Sequence, residues 1–133
     1  MESQSNYDSS HGRRKSDIDT MVYREKIVVE EVTSDEETLT IVSYNILADC
    51  HVDFDMEALY GQCQKGDLYI SGRFEAIVAE VEAYEPDIVC FQEVPPEYYK
   101  KNFQPHFEKL GFEGLYIKRI RETHEEGEAT FYK

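Results

Sequence analysis

Asp87-Ile88-Val89-Cys90-Phe91-Gln92-Glu93-Val94 is the stretch on which the reading of this chain turns. Four consecutive apolar residues, Ile88 to Phe91, make the short run expected of a strand buried on both faces. Where the run ends a carboxylate, Glu93, appears, and the breaker pair Pro95-Pro96 follows. An acid at the exit of a buried strand is costly unless it is solvated, paired or bound to a cation. The expectation is that Glu93 ligates a divalent metal and that the segments before it serve to place it.

Working back from this strand, Phe74, Ile77, Val78 and Val81 recur at helical spacing and predict a helix over about 72–84, with Ser71 as its N-cap. Glu85-Pro86 stops it, because proline cannot continue the ladder and disfavours helix at the residue before it. Leu39 to Leu47, β-branched and aromatic, reads as the first strand, with Asn45 near its exit. Residues 50–70 read as a long connection whose Phe54, Met56, Leu59 and Tyr60 pack onto the body. Strand, loop plus helix, then strand is the order of a parallel β-α-β unit. Such a unit puts both strand ends on one edge of the sheet, where Asn45 and Glu93 can meet.

Working forward, Pro96-Glu97 opens a second helical stretch with Tyr98, Phe103, Phe107 and Leu110 as its apolar positions. Pro105 is expected to kink or split it, and Gly111 to close it as the glycine after the helix. Phe112 to Lys118 reads as a strand, Glu122 to Glu128 as a charged loop, and Ala129 to Lys133 as a last strand.

At 133 residues the chain has room for one domain, and 41% hydrophobic residues exclude disorder throughout. Residues 1–37 read as an acidic, polar, largely disordered tail, and residues 38–133 as the domain. Within the tail, Arg13-Arg14-Lys15-Ser16 reads either as a basophilic kinase site or as a solvated charge run, and Lys26 to Val32 as an edge strand or extended linker. Residues 1–38 hold ten acids against five Lys/Arg, and the whole chain carries a net charge of −14. A broad basic face for nucleic acid is therefore excluded. A polyanionic substrate needs bound metal or a local cluster such as Lys118-Arg119-Arg121. The three cysteines, Cys50, Cys63 and Cys90, lack a Cys-x-x-Cys pair and argue against a disulfide framework or a structural zinc site. Cys90 reads as a small core residue. With neither a membrane span nor a secretory signal legible, the expected setting is intracellular, cytoplasmic or nuclear, with no membrane partner.

Taken by itself, the Asn45/Glu93 pair is open to two readings: an Asn that caps a turn beside a solvated Glu, or a Mg²⁺ site built from one carboxylate and one amide. A resemblance bears on the choice. Ser43-Tyr44-Asn45-Ile46-Leu47-Ala48-Asp49, Pro86-Asp87-Ile88-Val89-Cys90-Phe91-Gln92-Glu93-Val94 and Glu126-Gly127-Glu128-Ala129-Thr130-Phe131-Tyr132 resemble the opening motifs of the endonuclease/exonuclease/phosphatase superfamily. Within it they are most similar to the carbon-catabolite-repressor-type deadenylases and their relatives nocturnin, angel and the 2′-phosphodiesterases.

The resemblance implies an α/β (α+β) fold, the N-terminal part of a DNase I-like four-layer sandwich of two β-sheets flanked by helices. It implies Mg²⁺-dependent phosphodiester hydrolysis, with Mn²⁺ as an alternative ion. It gives Glu93 the metal and Asn45 a phosphate or a metal-bound water, both as catalytic-site residues. The expected partner of the intact enzyme is RNA, as poly(A) or oligoadenylate, together with proteins of a deadenylase complex. The family's later acids and its Asp-His pair are not found in this sequence; His11, His106 and His124 are read as structural or solvated. The expectation is therefore a 3′–5′ exoribonuclease in full-length form, with this chain an inactive truncated fragment. A non-catalytic short isoform that binds protein and a 2′-5′ oligoadenylate or nucleotide phosphodiesterase are the alternatives.

Overall fold

The computed structural model describes residues 24–25, 27–29, 37–54, 56–120 and 125–133. Most of the segment read as a tail, with Arg13 to Ser16, Arg121 and His124, lies outside them. Residues 27–29, part of the expected edge strand or linker, are exposed and belong to no strand.

Four strands form one sheet: β1 (Ile41–Asn45), β2 (Ile88–Val94), β3 (Glu113–Lys118) and β4 (Gly127–Tyr132), in the order β1-β2-β4-β3. β1 and β2 run parallel, pairing Ile41 with Ile88 and Asn45 with Gln92. β4 lies antiparallel to both β2 and β3. The parallel crossover expected between the first two strands is present.

The crossover is more helical than expected. The connection over residues 50–70 contains three short helices, α1 (Asp49–Phe54), α2 (Met56–Tyr60) and α3 (Lys65–Leu68), before α4 (Ile70–Ala83). Val52 and Leu68 are buried, while Leu59, expected to pack, is exposed. Ser71 is not the N-cap. Tyr69 occupies that position, and Ile70 N–H donates to Asp49 Oδ1 at 2.7 Å. Sequence proximity favoured a local cap, whereas the fold supplies a carboxylate from 21 positions upstream.

α4 lays Ile70, Phe74, Ile77, Val78 and Val81 against the sheet. The second helical stretch divides as expected into α5 (Pro96–Tyr98), a π-helical turn (Tyr99–Phe103) and α6 (Gln104–Lys109). Pro105 stands at the start of α6; the wider turn before it accommodates a residue that cannot donate to the ladder. Gly111 closes the helix at φ +85°, a conformation glycine adopts without a Cβ clash. Phe131 lies at the centre of the core, its ring stacked 4.4 Å from Phe107, and Phe91 packs 5.0 Å from Phe103.

All of this packing is on one face. Along β2 burial alternates, with Val89, Phe91 and Val94 buried and Ile88 and Cys90 only half-buried. The expectation that this strand is buried on both faces, with Cys90 as a core residue, is corrected. The helices cover one side of the sheet, and Cys90 points to the other with exposed Ile41, Leu115 and Ile117. No helix among the described residues is long and apolar enough to cross a membrane.

One residue of the expected tail is tied to the domain. The Arg24 guanidinium bonds the buried carboxylate of Glu80 on α4, donates to Tyr44 Oη at 3.0 Å, and lies 5.3 Å from the Tyr44 ring centroid. Its pKa is raised above the ordinary guanidinium value by the Glu80 hydrogen bond, against desolvation.

Candidate functional site

The site forms where β1 and β2 leave the sheet side by side. Leu47 turns the chain at φ +58°, and its N–H donates to Asn45 Oδ1 at 3.0 Å. That donor fixes which way round the Asn45 amide lies, because only its oxygen can accept. The amide nitrogen then faces β2 and donates to Glu93 Oε1 at 2.7 Å. Asn45 thus caps its own turn and also holds the glutamate.

Glu93 is placed by an irregularity in the ladder. Phe91 pairs with Ala129 and Val94 with Gly127, so Gln92 and Glu93 together oppose the single residue Glu128. This is a β-bulge, a device that redirects a side chain at the end of a strand. Glu93 sits in it at φ +60°, which for a residue with a Cβ costs about 1–3 kcal/mol and persists only where surrounding contacts hold it. Those contacts are visible: Oε1 accepts from Asn45, and Oε2 accepts from Ala48 N–H at 3.1 Å.

The loop after β1 is held from behind by Arg73 of α4. Its guanidinium bonds the carbonyl of Ile46, donates to Leu47 O at 2.8 Å and to Leu68 O at 3.0 Å, and stands 3.9 Å from Asp49. Burial lowers the Arg73 pKa, partly countered by Asp49. Arg73 and Asp49 were not singled out from the sequence, although Asp49 lies inside the quoted motif. An arginine on a helix carries no signal of its own until the fold brings three carbonyls to it.

Two further side chains converge on Glu93. His51 Nε2 on α1 lies 3.9 Å from Glu93 Oε2 and 3.3 Å from Glu126 Oε1. Glu126 precedes β4, is 3% exposed, and also accepts from Arg119 Nη1 at 2.6 Å. Desolvation pushes its pKa up, but the Arg119 and His51 contacts outweigh that and hold it below the usual carboxylate range. His51, Glu93 and Glu126 each offer one ligand atom, and these lie within 4.8 Å of one another. Cys63 is exposed, and His51 turns toward the two glutamates. His106, read as structural, packs on Phe74 and bonds Glu82 Oε1 at 2.8 Å, on α4.

A cavity of about 350 Å³ opens over this edge, lined by residues that include Asn45, Glu93, Arg119, Glu126 and Glu128. Its lining includes three carboxylates and one guanidinium, with the His51 imidazole close by and the Asn45 amide presenting its nitrogen. Two carboxylates and an imidazole whose ligand atoms lie within 4.8 Å of one another fit a hard or borderline divalent ion.

No family model matches the chain. Individual proteins do. Carbon catabolite repressor protein 4 homolog 1 of Arabidopsis thaliana is 34% identical over 86 residues, 65% of this chain and 14% of that protein. The human 2′,5′-phosphodiesterase 12 is 35% identical over 109 residues, 80% of this chain and 17% of that protein. Among solved structures, ANGEL2, described as a 2′,3′-cyclic phosphatase in complex with adenosine-2′,3′-vanadate, superposes with a TM-score of 0.65 at 30% identity, covering 71% of this chain and 27% of that one. The human nocturnin catalytic domain with bound sulfate gives 0.52 at 27% identity over 71% of this chain and 32% of that one. The chain belongs to the endonuclease/exonuclease/phosphatase superfamily, in its carbon-catabolite-repressor, nocturnin and angel branch.

The four-stranded sheet with its helical layer is accordingly part of a DNase I-like domain of that superfamily. The chain spans 14% and 17% of the lengths of the Arabidopsis and human relatives named above.

Proposed function

We propose that the edge formed by Asn45, Glu93 and Glu126 belongs to the active site of a divalent-metal-dependent phosphodiesterase acting on RNA or an oligoadenylate. The observation that carries this reading is the 2.7 Å bond from Asn45 to Glu93 at the adjacent exits of two parallel strands, beside a cavity with room for a phosphate. A protein with net charge −14 attracts a polyanion poorly, so the site itself must supply positive charge. Glu93 would hold Mg²⁺ or Mn²⁺, which would supply that charge and stabilise the negative charge developing on a phosphoryl oxygen.

The chain's own groups orient the phosphate. One N–H of the Asn45 amide is taken by Glu93, which leaves the other for a phosphoryl oxygen. Arg119, on the cavity wall, offers its guanidinium to a second oxygen. The Arg73 clamp keeps the β1 exit loop rigid, so that Asn45 does not have to reorganise when substrate arrives.

Two substrate classes remain within this reading. A 3′–5′ exoribonuclease of deadenylase type follows from the sequence motifs. Hydrolysis of a 2′,5′-linked oligoadenylate is favoured by the wider match, 80% of the chain, to a protein named as a 2′,5′-phosphodiesterase. The test compares release of AMP by the intact protein from 3′,5′-linked and 2′,5′-linked oligoadenylates, with and without Mg²⁺. Metal-dependent release that Glu93→Gln abolishes supports the reading, and unchanged release by that variant sinks it.

A further inference from the structure

We infer that His51 and Glu126 join Glu93 in a single cation site with mixed nitrogen and oxygen donors, one that binds a first-row transition ion more tightly than Mg²⁺. The inference rests on the preceding reading of Glu93 as a cation ligand and extends it to two residues that the sequence motifs do not place there. Ligand atoms around one small divalent ion, bound at about 2.1 Å each, stand roughly 3.0–3.4 Å apart along the edges of an octahedron or tetrahedron. His51 Nε2 and Glu126 Oε1 are 3.3 Å apart, already on such an edge, and His51 Nε2 and Glu93 Oε2 are 3.9 Å apart. Closing the second edge takes less than 1 Å, within the reach of a histidine and a glutamate that are each more than a fifth exposed.

The three donors come from three separate parts of the chain: α1, the β2 bulge and the residue before β4. The hydrogen bonds that hold the two glutamates do not use up their coordinating capacity. Glu93 spends one lone pair on Asn45 and one on Ala48, and a carboxylate has about four. Arg119 donates to the same Glu126 oxygen, Oε1, that faces His51, and that oxygen keeps a second lone pair, and Oε2 both of its own, for an ion. Three protein ligands leave the other coordination positions to water and substrate, the arrangement of catalytic rather than structural metal sites.

The imidazole decides the metal. Mg²⁺ prefers oxygen ligands and keeps its waters, whereas nitrogen donors favour Zn²⁺, Co²⁺ and Ni²⁺, with affinity rising from Mn²⁺ through Co²⁺ and Ni²⁺ to Cu²⁺. The bland reading of the same geometry is a histidine that only pairs with two glutamates. It predicts no effect of the imidazole on cation affinity.

The deciding measurement is titration of the intact protein with Co²⁺, Mn²⁺ and Mg²⁺, by calorimetry and by the visible absorption of bound Co²⁺. The wild type is compared with His51→Gln, Glu126→Gln and Glu93→Gln, each checked for fold by circular dichroism. Tighter binding of Co²⁺ than of Mg²⁺, weakened about 10-fold or more by His51→Gln with Mg²⁺ binding little changed, supports the site. Co²⁺ affinity and spectrum unaltered in both His51→Gln and Glu126→Gln overturn it; if Glu93→Gln alone removes Mg²⁺, the simpler Glu93 site survives. Should His51→Gln lose Co²⁺ while neither oligoadenylate is cleaved, the cation site stands and the proposed activity falls. If one variant fails to fold, the other decides.

Discussion

The side-chain amide of Asn45 donates to Glu93 over 2.7 Å, although 48 positions separate the two residues in sequence. Parallel pairing of β1 with β2 produces this contact, since it brings both strands out of the sheet at the same edge. The bond is charge-assisted but partly exposed, so its net worth lies near the ordinary range. A double-mutant cycle with Asn45→Ala and Glu93→Ala, followed by urea unfolding, is expected to give a coupling of about 0.5–1.5 kcal/mol. A coupling indistinguishable from zero would mean the two side chains do not hold each other in solution.

Arg73 uses one planar fork to reach the carbonyls of Ile46, Leu47 and Leu68. Lysine keeps the charge but cannot serve three divergent acceptors from one plane. Arg73→Lys is expected to destabilise the fold by about 1–3 kcal/mol and to speed amide exchange in residues 46–48. Exchange there at the wild-type rate would argue against the clamp.

Arg24 bonds a carboxylate, Glu80, that is 4% exposed. Removing the cation leaves a buried carboxylate held by the Tyr44 hydroxyl at 3.1 Å but without its ion partner, a loss moderated further because Arg24 is itself 48% exposed. Arg24→Ala is expected to lower stability by about 1–3 kcal/mol, with much of the loss restored when Glu80→Gln is added. Strictly additive effects of the two substitutions in thermal melts would refute the pairing.

A Cβ on Gly127 would stand 2.4 Å from the Ile117 carbonyl oxygen and 2.6 Å from the Tyr116 hydroxyl. The close approach of β3 to β4 therefore requires glycine beside Glu126. Gly127→Ala is expected to cost about 1–3 kcal/mol through forced separation of the strands, measurable by denaturant unfolding. Wild-type stability would show that the hairpin relaxes freely.

Burial, reinforced by Glu126 and Glu125, raises the Tyr116 pKa to about 12 from its ordinary value of 10.0. The hydroxyl donates to Val94 O at 2.9 Å, a bond that only the protonated form can make. A raised folded-state pKa means a stabilising contribution that is complete below pH 10.0 and lost between there and about pH 12. Alkaline unfolding curves should steepen over this window, and Tyr116→Phe should flatten them by the share this residue carries. No change in slope in that variant would count against the assignment.

Much of the fold was legible because it rests on local rules. Phe74, Ile77, Val78 and Val81 announce an amphipathic helix by spacing alone. Pro86, Pro105 and Gly111 punctuate the chain through their own backbone chemistry. Asn45 and Glu93 could be paired because strand, helix and strand in series dictate parallel strands and a shared edge. The helices within residues 50–70 were not legible. They are too short to show a period and are stabilised by tertiary contacts such as those of Val52 and Leu68.

The sequence by itself determined the parallel unit, its one apolar helix face, and the two polar residues at its strand ends, since each follows from periodicity or from a breaker residue. The tertiary structure alone decided which face of β2 is buried, because that depends on where helices from elsewhere in the chain come to rest. It alone decided that Glu93 is turned by a bulge, that Asp49 caps α4, and that Arg73 holds the β1 exit loop. It also brought His51 and Glu126 to Glu93. No spacing rule links a histidine on a one-and-a-half-turn helix to a glutamate before the last strand; only the sheet order, which sets β4 beside β2, puts them within ligand distance.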